Sequence, residues 1–266
     1  MKKIIALLLM LTLLVACFAS CGGDADESKT LTMATNAAFP PYEYYEGDKI
    51  VGIDAEIAEA IANKLGMELE IVDTEFGSII GGVQSGKYDI GVAGMTVTEE
   101  RKESVNFSDS YANGIQSVIV AENSEYTSFE DFYTGFDADG NPEGVKEGVK
   151  IGVQQDTTGH IYSADEPGNW GFGEANVISY KTGADAVQAL ISGKVTAVII
   201  DNEPAKSFVA ANTGLKILDG EYTNEDYAIC IAKENTDLLE KINTALAELK
   251  ADGTIDKIIA KYIPTK

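Results

Sequence analysis

The chain is short of the residues that most often carry chemistry. Its 266 residues hold one histidine, one tryptophan and three cysteines, and Arg101 is its only arginine. One histidine cannot build a zinc site, and no metal-ligand spacing occurs anywhere, so neither metal nor cofactor is expected. Basic residues are few, 20 against 43 acids, for a formal net charge of −23. Such a chain cannot neutralise phosphates, which excludes nucleic acid as a partner. Hydrophobic content of 45% and charged content of 24% are ordinary globular values, so the acidity reads as a solvated surface.

Long apolar runs are scarce too. The run from Ile4 to Val15 is twelve residues, too short to span a bilayer of ~30 Å as a helix. Lys2 and Lys3 precede it, and small residues and cysteine follow, as in an export signal. "LVAC", ending at Cys17, and "FASC", ending at Cys21, both resemble bacterial lipoboxes, in which the cysteine becomes the lipidated first residue. Gly22-Gly23 and the polar "DADESKT" follow Cys21. Cys21 is therefore the expected anchor, with residues 1–20 a signal peptide and 21–30 a tether. Cys17 is the alternative anchor, and a plain secretory peptide the remaining reading. The expected location is outside the cytoplasm, tied to the cell membrane through lipid. Cys230, inside the apolar "DYAICIAK", reads as a buried, inert thiol.

What is present is an alternation of strands and helices. "LTMAT" (31–35) reads as a strand, then a proline-containing loop with a turn at Gly47-Asp48. "DAEIAEAIANKLG" (54–66) reads as an amphipathic helix with Asp54 as N-cap and Gly66 as C-cap. "MELEIVD", a glycine-weakened helix "GSIIGGVQSGKY" and the strand "DIGVAGM" complete a β-α-β-α-β unit. "GIQSVIVAEN" (114–123) leads into a second such run, after a polar, turn-rich stretch whose "DADGN" reads as a turn rather than a calcium loop. "IIGGVQSGKYDIGVAGM" (79–95) echoes "AVQALISGKVTAVIID" (186–201): helix, Ser-Gly-Lys turn, apolar strand. The class is α/β, with two lobes. "DYAICIAKE" supplies a strand able to return, so lobe one is expected at 31–117 and 225–266, and lobe two at 118–224, joined by two strands.

Two α/β lobes place a ligand between them, outside the carboxyl ends of their strands. Asn36 and Phe39 sit at one such end, and Gly94, Met95, Thr96 and Arg101 at a second. "VQQDTTG" sits at a third and Asp201 at a fourth. A guanidinium offers two parallel N–H bonds to a carboxylate, and Asp201 can accept from an ammonium. Phe39 and Phe76 supply apolar faces. That combination fits a free α-amino acid. Taken alone, Arg101 would read as a surface ion pair with Glu99 or Glu103, and Asp201 as a helix N-cap.

The stretches "ATNAAFPPYEY", "VGIDAEIAEAIANKLG", "FGSIIGGVQSGKYDIGVAGMTVTEERKESVNFSDSY", "GVQQDTTG" and "AVIIDNEPA" resemble, in order, the extracytoplasmic solute-binding proteins of polar amino acid ABC importers. The resemblance spans roughly 31–264 and implies the type II periplasmic-binding-protein-like fold. It also implies an ABC permease as partner and a monomer that closes on its ligand. By that resemblance Arg101 clamps the ligand carboxylate, with Gly94, Met95 and Thr96 lining the same group. Phe39 and Phe76 sandwich the ligand. Gln154, Thr158 and Gly159 are further contacts, and Asp201 accepts from the ammonium. Asn36 stands where many relatives carry aspartate, and Asp156 where glycine is usual. Gly81-Gly82 replaces a common proline-alanine. Asn36 and Gln154 favour a polar neutral side chain, while Asp156 and the acidic field leave arginine or lysine open.

Two other classes compete. Some dehydratases use this bilobed fold, and His160 beside the Thr-Thr-Gly loop could serve acid-base chemistry, but no further constellation supports it. A sensing module would be expected to continue into a membrane or signalling segment, whereas this sequence stops at "YIPTK".

Overall fold

A computed structural model describes residues 30–220 and 223–264. The signal peptide and both candidate lipidation cysteines lie outside the described residues. Two five-stranded sheets carry the architecture. The first runs in the order Glu68–Asp73, Thr30–Thr35, Ile90–Gly91, Cys230–Ala232, Val105–Phe107. The second runs Val177–Tyr180, Ile151–Gln154, Ala197–Asp201, Gln116–Ala121, Leu215–Ile217. In each, three strands lie parallel and the next pairs antiparallel. The two lobes are thus built to one plan, as the sequence echo implies. A small antiparallel pair, Ala112–Gly114 with Glu225–Tyr227, joins the segment just before the first strand of the second sheet to one that follows its last strand.

The echo extends to backbone geometry. Helices Ile79–Gln84 and Gly183–Ile191 both end in a Ser-Gly-Lys turn before an apolar strand. Gly86 has φ 73° and Gly193 φ 71°, the left-handed conformation that only glycine adopts without a Cβ penalty.

The helix Ile53–Leu65 buries Ile57, Ala58 and Ile61 and packs against the C-terminal helices Thr236–Ala251 and Thr254–Tyr262. Gly66 ends it in the left-handed conformation, as expected. Its start differs from the sequence reading. Gly52, not Asp54, is the N-cap, because the chain turns there at φ 128° and a Cβ would lie 2.2 Å from the Tyr42 carbonyl. Asp54 is instead inside the first turn and fully buried, its carboxylate used elsewhere.

Three other differences have local causes. "DYAICIAKE" is two strands, Glu225–Tyr227 and Cys230–Ala232, each serving a different sheet. The turn-rich stretch after residue 124 buries Phe129, Phe132 and Tyr133 against Phe172 and so closes one face of the second sheet. Glu99–Ser104 forms a short helix unread in the sequence, capped by Thr98, whose hydroxyl accepts from the Arg101 amide at 3.1 Å. "DADGN" is a turn, with Asp137 Oδ1 accepting from the amides of Asp139 and Asn141. Among the described residues no helix is long and apolar enough to cross a membrane. Among them, too, no group of three or more His, Cys, Asp or Glu is placed to hold a metal ion.

Candidate functional site

Strand ends from both sheets converge on one narrow cavity. It is lined by Asn36, Phe39, Phe76, Gly94, Thr96, Arg101, Gln154, Thr158 and Asp201, all expected from the sequence. Glu43, Ala93 and Thr157 line it as well. Met95 and Gly159 do not. Met95 is fully buried in the core of the first lobe and gives its carbonyl to the Ala228 amide. Gly159 is the second residue of the helix Thr158–Ala164 and lies close to a strand, where a Cβ would lie 3.0 Å from Gln116 Oε1. His160 is also off the cavity; its Nδ1 accepts from the Asp156 amide.

The Thr98 cap fixes where Arg101 points. One turn into its helix, the side chain runs inward and is 8% exposed. Nη1 donates to the Thr96 carbonyl at 2.7 Å, and Nη2 crosses the cleft to the Asp156 carbonyl at 2.9 Å. The guanidinium carbon lies 5.3 Å from the centre of the Phe76 ring. Burial lowers its pKa, offset by the charges of Glu225 and Asp201. No ion pair with Glu99 or Glu103 forms; Glu99 pairs with Lys102 instead.

Asp201 ends its strand at the N-cap position of the helix Asn202–Ala211, yet makes no side-chain cap bond. Its carboxylate turns into the cavity wall, where Tyr227 donates its hydroxyl to Oδ1. Burial first, and the nearby Glu225 next, push its pKa up to about 7. Glu225 is 4% exposed and accepts at Oε2 from Thr96 Oγ1 (3.1 Å) and Gln116 Nε2 (3.0 Å). The cavity is therefore lined by a guanidinium and a carboxylate, Arg101 following a strand of the first sheet and Asp201 ending a strand of the second.

Asn36 and Gln154 also face each other across the cleft. Gln154 Nε2 donates to Asn36 Oδ1 at 2.9 Å, and Asn36 Nδ2 donates to the Thr74 carbonyl at 2.8 Å. One N–H of each amide is thereby used, while Gln154 Oε1 is buried without a partner. Asp156 takes a left-handed φ of 64° and aims its carboxylate outside the cavity, against Gly77 of the other lobe.

Sequence reasoning missed Glu43. It is 1% exposed, follows "FPPY" and touches Asp54, the acid taken for a helix cap. Asp54 Oδ2 accepts from the Gly94 amide at 2.7 Å and from the Tyr111 hydroxyl at 2.9 Å. The Gly94 N–H is thus spent on Asp54 rather than left for a ligand. The only sequence hint to this pair was two acids each set among apolar or aromatic neighbours.

The family described as bacterial extracellular solute-binding proteins, family 3, matches residues 31–265. The arginine-binding extracellular protein ArtP of Bacillus subtilis (strain 168) is 33% identical over 270 residues, covering 98% of each chain. The ABC transporter glutamine-binding protein GlnH of the same organism is 31% identical over 286 residues, covering 99% of this chain and 98% of that one. Among solved structures, an ancestral arginine-binding protein bound to arginine superposes with a TM-score of 0.77 at 40% identity, covering 88% of this chain and 98% of that one.

Proposed function

The chain belongs to the bacterial extracellular solute-binding proteins of family 3, and we propose that the free amino acid it captures for an ABC importer carries a cationic side chain. The observation that carries this reading is the set of polar atoms around the cavity still lacking a partner. Glu43 Oε2 and Gln154 Oε1, both on residues that line the cavity, are buried acceptors. A ligand matching them must be rich in donors, as a guanidinium or ammonium is and a carboxamide is not. Asn36 and Gln154, whose amides favour a neutral side chain on the sequence alone, bond each other through one N–H, which leaves fewer of their donors for such a ligand.

In this reading the α-carboxylate replaces the Thr96 and Asp156 carbonyls as acceptor for Arg101. The α-ammonium meets Asp201. Phe39 and Phe76 cover the aliphatic part, and the distal cation meets Glu43. Lobe one is taken as 31–117 and 225–266, and lobe two as 118–224, so the ligand ties one to the other. The protein acts by binding and release, without catalysis, as a monomer. Cys21 carries the lipid that holds it at the membrane.

Isothermal calorimetry against arginine, lysine, histidine, glutamine and cystine tests the reading. Arginine or lysine should bind at least 10-fold more tightly than glutamine or cystine. The opposite order refutes the cationic preference.

A further inference from the structure

Glu43 and Asp54 are the most buried acids beside the cavity, at 1% and 0% exposure. They lie within hydrogen-bond reach of each other. Glu43 Oε2 and Asp54 Oδ1 are bonded to no other group. Among the described residues neither acid has an ion-pair partner. The surroundings supply two neutral donors, the Gly94 amide and the Tyr111 hydroxyl, and both serve the far oxygen of Asp54. Two carboxylates in contact, out of water and without a cation, repel strongly, whereas one proton between them converts the repulsion into a hydrogen bond.

We propose that Glu43 and Asp54 share one proton when the cavity holds no amino acid, and surrender it when a cationic side chain arrives, so that capture releases a proton. This rests on the cationic reading above and adds to it a linked ion. The O–H bond of the shared carboxyl breaks, its proton passes to solvent, and the ligand's charge takes over the neutralisation. The pair keeps a net charge of about −1 before binding and about −2 after it, by the single proton exchanged. Burial raises both acids, Asp54 up to about 6 and Glu43 well above its ordinary value.

Other titratable groups face the pair. Tyr42, Tyr111 and Tyr227 are held neutral by burial and by the neighbouring acids. Glu225 lies beyond Asp201, and Arg101 stands by the carboxylate end of the cavity. Asp201 is raised as well and would release its own proton to solvent when any α-ammonium binds beside it. The pair's contribution must therefore be separated from that of Asp201.

Calorimetry of L-arginine binding at pH 5.5, in buffers of differing ionisation enthalpy, counts protons released. Wild type should release more than the Glu43→Gln variant, by roughly half to one proton, since the amide cannot share a proton but leaves Asp201 unchanged. Infrared difference spectra of the wild type supply a second measurement, independent of how the variant folds. Arginine should bleach a carboxylic-acid C=O band and raise a carboxylate band, more than L-glutamine does at saturation. Tight arginine binding with equal release from both proteins, or with no extra acid band lost, overturns the proton exchange and leaves the cationic reading standing. Failure of arginine to bind while glutamine binds overturns both.

Discussion

Arg101, between two strands of the first sheet, donates to the main-chain carbonyl of Asp156, just after a strand of the second, at 2.9 Å. A carbonyl is a weaker acceptor than a carboxylate, so an amino acid entering the cavity offers the guanidinium a better partner in the same place. Replacement by alanine removes both bonds and leaves the ligand carboxylate buried without a counter-charge. Arg101→Ala should weaken amino acid binding at least about 100-fold by calorimetry. Arg101→Lys should recover only part of the loss, because the charge returns without the fork. Unchanged affinity in the alanine variant would remove Arg101 from the site.

Asp201 makes no cap bond, so its removal should cost affinity rather than helix stability. Asp201→Ala should also lose at least about 100-fold in binding. Ligand should shrink the wild type in small-angle scattering and barely change the variant, because the tie between lobes is cut. Equal shrinkage in both would show that closure does not run through Asp201.

Gly94 has φ 50°, and a Cβ there would lie 2.9 Å from Phe39 Cε1. Gly94→Ala therefore meets backbone strain and displaces a ring that lines the cavity. We expect about 10-fold weaker binding and a lower Tm, from roughly 1–2 kcal/mol of left-handed strain plus the shifted ring. An alanine variant with wild-type affinity and Tm would mean that the loop relaxes freely.

Stability should fall as pH rises through the window in which the buried acids titrate. Asp54 and Asp201 move from 3.8 to about 6 and about 7 on folding, chiefly by burial. Between those values the folded chain holds more protons than the unfolded one, so raising the pH favours unfolding. Without ligand, the Tm at pH 5 should exceed that at pH 8 by about 5 °C or more, at ~2–4 °C per kcal/mol for a chain of this size. A Tm that rises over this window would contradict the assignment.

Lipid attachment is tested separately. Labelled palmitate should enter the full-length protein in a bacterium with a lipoprotein pathway, and Cys21→Ala should abolish the label and release soluble protein. Loss of the label in Cys17→Ala instead would move the anchor.

Much of the cavity lining was legible because several residues that line it are also unusual in sequence. A lone arginine after "GMTVT" and an aspartate closing an apolar strand stand out without coordinates. The echo of helix, Ser-Gly-Lys and strand placed both at carboxyl ends. Glu43 and Asp54 were not legible, since a buried acid is written with the same letter as a solvated one. Asp54 opens a helix, where acids ordinarily cap, and only the Gly94 amide and the Tyr111 hydroxyl, 40 and 57 residues away, explain its burial. Met95 misled for the converse reason. Its neighbours line the cavity, but the next position along a strand end points to the other face.

The fourth strand of the first sheet, Cys230–Ala232, comes from near the end of the chain and is the neighbour that Val105–Phe107 pairs with. The second sheet draws every strand from residues 116–217. As the chain emerges, the later-starting lobe thus has all its strands first. The earlier one must wait, with one edge unpaired, until its last segment arrives. A truncation before residue 230 should therefore leave the second sheet as the only one of the two able to form in full.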